Sequence, residues 1–435
     1  MEKGVRQPSQ FKMGAEHEKF PFYTKGLKPV PYAPDGIRAL LEGLAGLTGW
    51  QVILEGGNPI GLFDPNGSGA VSLEPAGQFE LSGAPQPDAH GIAAETLTHL
   101  RLLKQVAEPL GIQFLAQGSS PVWPRAETPV MPKSRYRIMM NYMPKVGGRG
   151  LDMMQRTCTT HVNFDFSSEA DMVKKMRVGL SLTPLIIALF ANSPFMDGRK
   201  TGYLSWRSDI WRDTDNARSG ILPFAFEPGM GFERYVDYAL DVPMYFIKRG
   251  DTYHDVAGTP FRHLLEGKAA AMPGERAVLS DWINHLGTIF PEVRLKRYLE
   301  LRGADVGPPD MIAALPAFWA GILYHPASLD AAWNLVKGWS QQDRQLLRDD
   351  APRIGLKAAV KGLTLQQLAK EVLALSRAGL TARARLDAQG RDESRYLAPL
   401  DAIAASGITQ AEATLAAFDG VWKGSFEKLF AANTY

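Results

Sequence analysis

The sequence holds a single cysteine, Cys158, in 435 residues, so no disulfide can form within the chain. One thiol is compatible with a reducing compartment, and a cytoplasmic location is expected. Neither sign of charge dominates. The net charge is +2 and there is no basic tract, which argues against nucleic acid as a partner. Long hydrophobic runs are missing as well. The longest, residues 185–191, falls far short of the ~20 residues of a membrane helix, so no membrane association is expected. Residues 1–12 are polar and lack the apolar centre of a signal peptide. No G-x-x-x-x-G-K-[ST] loop occurs, and no G-x-G-x-x-G follows a strand, which excludes P-loop and Rossmann nucleotide sites. There is no G-x-S-x-G elbow, and Cys158 falls on the apolar side of its segment, away from His161. Covalent serine or cysteine catalysis is therefore not expected.

What is present begins with apolar content of 45%, ample for a large core. The stretch Ser72 to Gly83 then stands out. At a period of two it places Ser72 and Glu74 on one face, and after a Pro-Ala-Gly break Gln78, Glu80 and Ser82, with Phe79 and Leu81 opposite. Carboxylates, an amide and hydroxyls without lysine or threonine are oxygen ligands suited to a hard cation. Met13 to Phe20 reads as a strand with Glu16 and Glu18 on one side. Thr157 to Phe166 reads as another, with His161 and Asn163 on the polar side. Val293 to Arg302 reads as a third, with Tyr298, Glu300 and Arg302 together.

Helical spacing is expected over residues 34–47, 89–110 and 169–190, the last capped by Ser167-Ser168. A short helix from Lys133 to Asn141 leads into a mobile, Gly-containing loop, and Val242 to Lys248 reads as a strand. Residues 192–228 are loop-rich and hold Arg207, Trp211, Asp213, Asp215 and Arg218. From Pro309 onward the chain is Ala- and Leu-rich and helical. The expected organisation is a catalytic sheet with flanking helices over residues 1–308 and a helical region over 309–435, packed as one unit. The economical arrangement is an antiparallel sheet with one face on helices and the other an open, acid-lined trough. Acids for Mg²⁺ and arginines (Arg135, Arg207, Arg302) for anions point to phosphoryl transfer.

These segments also carry a resemblance. Residues 13–20, 72–85, 141–145, 151–171, 192–195, 213–215 and 290–305 resemble glutamate–cysteine ligase of the plant-type branch. The resemblance implies an α+β fold of the glutamine-synthetase type: a curved antiparallel sheet, helices on its outer face and a helical C-terminal region. It implies ATP-dependent ligation of L-glutamate to L-cysteine through γ-glutamyl phosphate, the first step of glutathione synthesis. It implies two or three Mg²⁺ ions held by Glu16, Glu18, Glu74, Glu80, His161 and Glu300. Arg207 would hold the substrate glutamate, with Arg135 near substrate or phosphate. Arg302 and Lys145 would lie at the nucleotide's phosphates, with Arg302 and Arg207 the catalytic pair. Plant members of the family have glutamine at the position of His161 and other bacterial ligases a metal-binding histidine, so His161 is either a ligand or a polar neighbour. The redox switching of plant members, which needs paired cysteines, is not expected with Cys158 alone. Either a monomer or a homodimer is compatible with the sequence.

Blander readings compete with each of these. Glu16 and Glu18 alone would be a solvated strand edge, Glu300 and Arg302 a structural ion pair, Arg207 and Arg218 loop surface, and Asp213 and Asp215 turn caps. A ligase with another amine acceptor, and a silent scaffold of the same fold, are the alternatives at the level of function.

Overall fold

The period-two alternation builds an eight-stranded, wholly antiparallel sheet in the computed structural model, which describes residues 1–67 and 69–435. Its strands in chain order are β1 (Met13–His17), β2 (Gln51–Glu55), β3 (Asn58–Phe63), β4 (Gly69–Leu73), β5 (Phe79–Gly83), β6 (Thr159–Phe164), β7 (Val293–Leu295) and β8 (Leu299–Asp305). In space they run β7-β8-β6-β1-β5-β4-β3-β2. The strands with polar faces are therefore adjacent in space, although β1 ends at residue 17 and β8 begins at residue 299.

Register decides which side chains meet. Glu16 on β1 lies opposite His161 on β6 and opposite Ser82 on β5. Glu300 on β8 lies opposite Asn163 on β6 and Arg294 on β7, and Ser72 lies opposite Glu80. Because successive side chains alternate, Ala15, Val162, Phe164, Leu299 and Leu301 all point the other way. They join one core cluster with α2 (Glu169–Leu189) and α3 (Pro309–Leu323), while α1 (Ala89–Ala107) closes the same face through Ala89 and Ile92. The Ser168 hydroxyl accepts from the Asp171 amide, and Glu169 and Asp171 favour that N-terminus electrostatically. Every residue of α3 from Met311 to Leu323 is buried, which explains its all-round apolar sequence. Among the described residues no single helix is long and apolar enough to cross a membrane. The same core cluster reaches Leu373 and Ala404, so the C-terminal helices pack on the sheet's covered face.

Two glycines matter to the open face. Gly77 takes φ +86° in the turn from Glu74 to Gln78, a conformation that suits glycine and lets the chain reverse beside Met131 and Ile37. Gly303 sits at a bulge between Leu301 and Ala304, where a Cβ would lie 2.8 Å from Thr183 of α2. The bulge lets the end of β8 approach the helix and re-aims Arg302 into the trough.

Several expected elements differ in detail. The segment from Val293 to Arg302 is a hairpin, because Lys296 N donates to Tyr298 O (2.9 Å) and turns the chain. The strand expected over Met13 to Phe20 stops at His17. Phe20–Tyr23 pairs instead with Ile112–Leu115 in a separate two-stranded sheet. The strand expected from Val242 starts at Phe246 and pairs with Thr252–Asp255. The loop expected to be mobile after Asn141 is pinned: Gly148 N donates to Asp213 Oδ1 (3.1 Å) and Arg149 N to Asp213 O (2.8 Å). Within residues 192–228 a helix forms at Trp206–Ile210. Arg218 is fully buried, bonded to Asp215 (2.6 Å) and lying 3.8 Å from the centre of the Tyr245 ring. Asp213 thus binds across segments by accepting from Gly148, whereas Asp215 accepts from Ala217 and Arg218 within its own turn, as a turn cap does.

Candidate active site

The open face of the sheet carries two neighbouring groups of acids. In the first, ligand atoms of Glu16, His161 and Glu300 lie within 4.8 Å of one another. His161 Nδ1 is 3.7 Å from Glu16 Oε2 and 3.9 Å from Glu300 Oε1, with an Arg302 nitrogen at 3.4 Å. Asn163 Nδ2 donates to Glu16 Oε1 (2.9 Å) and fixes that carboxylate. Glu300 is fully buried. Arg294 holds both of its oxygens at 2.7 Å, Lys296 reaches it at 3.1 Å, and Arg302 donates to Oε1. Burial works against its charge, but Arg294, Lys296 and Arg302 outweigh burial and keep its pKa well below the usual carboxylate range.

Glu18, Glu74 and Glu80 form the second group by their mutual repulsion, and no cation is ion-paired to Glu18 or Glu80 among the described residues. Glu80 accepts from Ser72 Oγ (2.5 Å) and Ser82 Oγ (3.1 Å), so the hydroxyls of the strand face serve to hold it. Burial, then repulsion from Glu16 and Glu74, pushes its pKa up to about 7. Glu18 accepts from the Thr159 amide (3.0 Å), and burial with repulsion from Glu74 and Glu80 raises its pKa well above normal. Acids that resist ionisation because they face one another are poised to take up a cation.

Glu18, Glu74 and His161 of these groups open into a cavity of about 760 Å³ of empty space, part of it solvent. Glu18, Glu74, Arg135, His161, Arg207 and Arg302 line its polar side. Met139, Met153, Met154, Trp211, Phe246 and Phe290 line its apolar side. Arg207 is buried at the start of its short helix. Its amide bonds Ser193 Oγ (3.2 Å), and its guanidinium donates to Arg302 O (3.0 Å) and lies 3.9 Å from Asp305. Arg302 lies 5.5 Å from the centre of the Phe290 ring and 5.8 Å from that of Trp211. Gln78 bonds Met154 O and Thr157 O (3.1 Å each) and braces the cavity wall.

The residues present fit a divalent cation. Burial, then the charge of Arg302, drops the His161 pKa to about 3, so its imidazole is neutral with a lone pair to offer. Its Nε2 and Asn163 Oδ1 are buried without a partner among the described residues. Carboxylate oxygens from four strand segments supply the remaining donors.

Of the expected residues, Glu18, Glu74, His161, Arg135, Arg207 and Arg302 line the cavity, Glu16 and Glu300 cluster with His161 behind it, and Glu80 is repelled by Glu16 and Glu74. Lys145 stands apart: its side chain is exposed and it does not line the cavity. Sequence reasoning passed over Arg294 and Lys296, although their alternation with Val293 and Leu295 mirrors Glu300 and Arg302 across a turn. It also passed over Lys19 and Lys133, which are buried beside the second acid group. Burial lowers the pKa of each to about 7. Isolated lysines carry no pattern that could have found them.

Comparison with known proteins is consistent with this geometry. The model of glutamate-cysteine ligase family 2 matches residues 12–432. The chain is 50% identical over 432 residues to glutamate–cysteine ligase B, chloroplastic, of Oryza sativa subsp. japonica, covering 99% of this chain and 85% of the relative. It is 49% identical over 432 residues to the chloroplastic glutamate–cysteine ligase of Arabidopsis thaliana, covering 99% and 81%. Among solved structures, glutamate–cysteine ligase of Francisella tularensis in complex with AMP aligns with a TM-score of 0.59. It is 12% identical and covers 98% of this chain and 87% of that one, a likeness of fold. The names of the plant relatives overturn the expectation of a cytoplasmic location, since both are chloroplastic enzymes. A cysteine count reports on redox conditions and not on which compartment supplies them.

Proposed function

The chain belongs to glutamate-cysteine ligase family 2, and on that premise we propose that it joins the γ-carboxylate of L-glutamate to the amine of L-cysteine. ATP is the co-substrate, and the products are γ-glutamylcysteine, ADP and phosphate, in the first step of glutathione synthesis. The observation that carries the reading is the cluster of Glu16, His161 and Glu300 next to a cavity lined by Glu18, Glu74, His161, the buried Arg207 and Arg302, and apolar side chains. In this reading the sheet is of the glutamine-synthetase type and its polar face is the reaction funnel.

Arg207 holds the glutamate carboxylate, for which its planar fork is suited. Its guanidinium also donates to the carbonyl of Arg302, the arginine proposed to meet the transferred phosphoryl group. Arg135, at the cavity rim, adds positive charge on the substrate side. Glu16, His161 and Glu300, and Glu18, Glu74 and Glu80, would hold two or three Mg²⁺ ions, which when bound would supply positive charge against the phosphates. Transfer gives γ-glutamyl phosphate and ADP. The cysteine amine, having lost a proton, then attacks the acyl carbon and phosphate leaves. Met153, Met154, Trp211, Phe246 and Phe290 keep water from the activated acyl group, so that the amine and not hydroxide is the acceptor.

Coupled measurement of ADP release tests this. Release is expected only with glutamate and a divalent cation, and sustained turnover only with cysteine as well. Equal turnover with another amine in place of cysteine would contradict the assigned acceptor.

A further inference from the structure

Lysine is ordinarily exposed, and an ammonium buried without a carboxylate partner is costly. Lys19 and Lys133 are both buried, and among the described residues neither forms an ion pair. Each instead donates to backbone carbonyls. Lys19 Nζ bonds His17 O and Phe79 O, both at 3.2 Å. Lys133 Nζ bonds Leu73 O at 2.8 Å, an oxygen that also accepts from the Tyr136 hydroxyl. Those carbonyls belong to the residues directly before Glu18, Glu80 and Glu74.

We propose that Lys19 and Lys133 are positioning residues that fix the carboxylates of Glu18, Glu74 and Glu80 by holding the backbone one residue ahead of each. The proposal rests on the reading that those carboxylates take divalent cations.

The place of the three carbonyls in the fold explains the need. β1 ends at His17, β4 ends at Leu73 and β5 begins at Phe79, so all three lie where the regular ladder stops. Glu18 and Glu74 are carried just past a ladder's end and Glu80 is the second residue of β5, so all three depend on how the end of the ladder is held as they converge against their mutual repulsion. An ammonium has three donors that can be shared between carbonyls of different strands, which an apolar side chain of the same length cannot do. Lys19 also exchanges amide bonds with Phe79, at 3.1 and 2.9 Å, so the β1 and β5 ends are tied twice. Each ammonium further attracts the acids it positions: Glu80 and Glu18 for Lys19, Glu74 and Glu80 for Lys133. If filling space were the only task, methionine would serve with less desolvation.

The test uses Lys19→Met, Lys133→Met and Lys133→Arg in the full chain. Mn²⁺ binding without substrates is measured by calorimetry, beside steady-state kinetics. Each methionine variant is expected to bind Mn²⁺ about 10- to 100-fold more weakly, the scale for loss of an outer partner of metal ligands. The kcat falls with it while KM for glutamate stays near wild type, and Lys133→Arg, which can still donate to Leu73 O, recovers much of both. A merely structural role would lower the melting temperature but leave Mn²⁺ affinity and the kcat of folded protein unchanged, and that result overturns the proposal. Should Lys19→Met fail to fold, Lys133→Met decides, because Tyr136 still holds the same carbonyl. The two readings fail separately. A wild type that binds Mn²⁺ but never releases ADP with glutamate and cysteine defeats the ligase reading, while the Mn²⁺ affinities still judge the lysines.

Discussion

Glu300→Gln is expected to destabilise the protein by about 3–5 kcal/mol, the range for breaking a buried ion pair from one side. Glu300 is fully buried, and Arg294, Lys296 and Arg302 converge on it. An amide keeps the shape and removes the charge, so three cations are left facing one another with no anion between them. Arg294 would retain its bonds to Gly287 O (2.9 Å) and Ile289 O (3.1 Å), which limits the loss but does not neutralise it. Denaturant unfolding followed by tryptophan fluorescence measures the change. Wild-type stability in this variant would mean that the arginines are balanced by something other than Glu300.

Glu80→Gln is expected to do the reverse: little or no loss of stability, and a fall in ligase turnover of about 10²–10³-fold or more, the scale for deleting one preorganised electrostatic group. Its carboxylate is pushed up to about pKa 7 by burial and by Glu16 and Glu74, so without a cation its charge is unfavourable. Glutamine relieves that repulsion and still accepts from Ser72 and Ser82. What it cannot do is balance a divalent ion. The substitution separates the basin's two acid groups, since Glu300 is held by direct ion pairs to two arginines and a lysine, whereas Glu80 is bonded only by hydroxyls. Turnover is read by ADP release, and metal affinity by Mn²⁺ titration. Near-normal turnover would remove Glu80 from the metal site.

The period-two pattern made the basin legible because a strand face is a local property. Glu16, Glu80, His161 and Glu300 could each be assigned to the polar side of a segment, and antiparallel pairing then brings polar sides together. Register is not local, and so the opposition of Glu16 to His161 and of Glu300 to Arg294 came only with the structure. The split of the Val293 to Arg302 segment was missed because Lys296 to Tyr298 carries no Gly, Pro or Asn to mark a turn. Lys145 was drawn in by its neighbours in a motif, yet it points to solvent. The ordering of residues 192–228 was hidden for another reason. Arg218 and Asp215 are charged residues that read as loop surface and a turn cap, and only their pairing with each other offsets the cost of burial.

If acids from separate strands hold divalent ions in one basin, anomalous diffraction from crystals grown with Mn²⁺ and ADP will locate those ions there. Peaks are expected between Glu16, His161 and Glu300 and among Glu18, Glu74 and Glu80, with phosphate oxygens completing the coordination. Peaks elsewhere, or none in the basin with ADP bound, would contradict it.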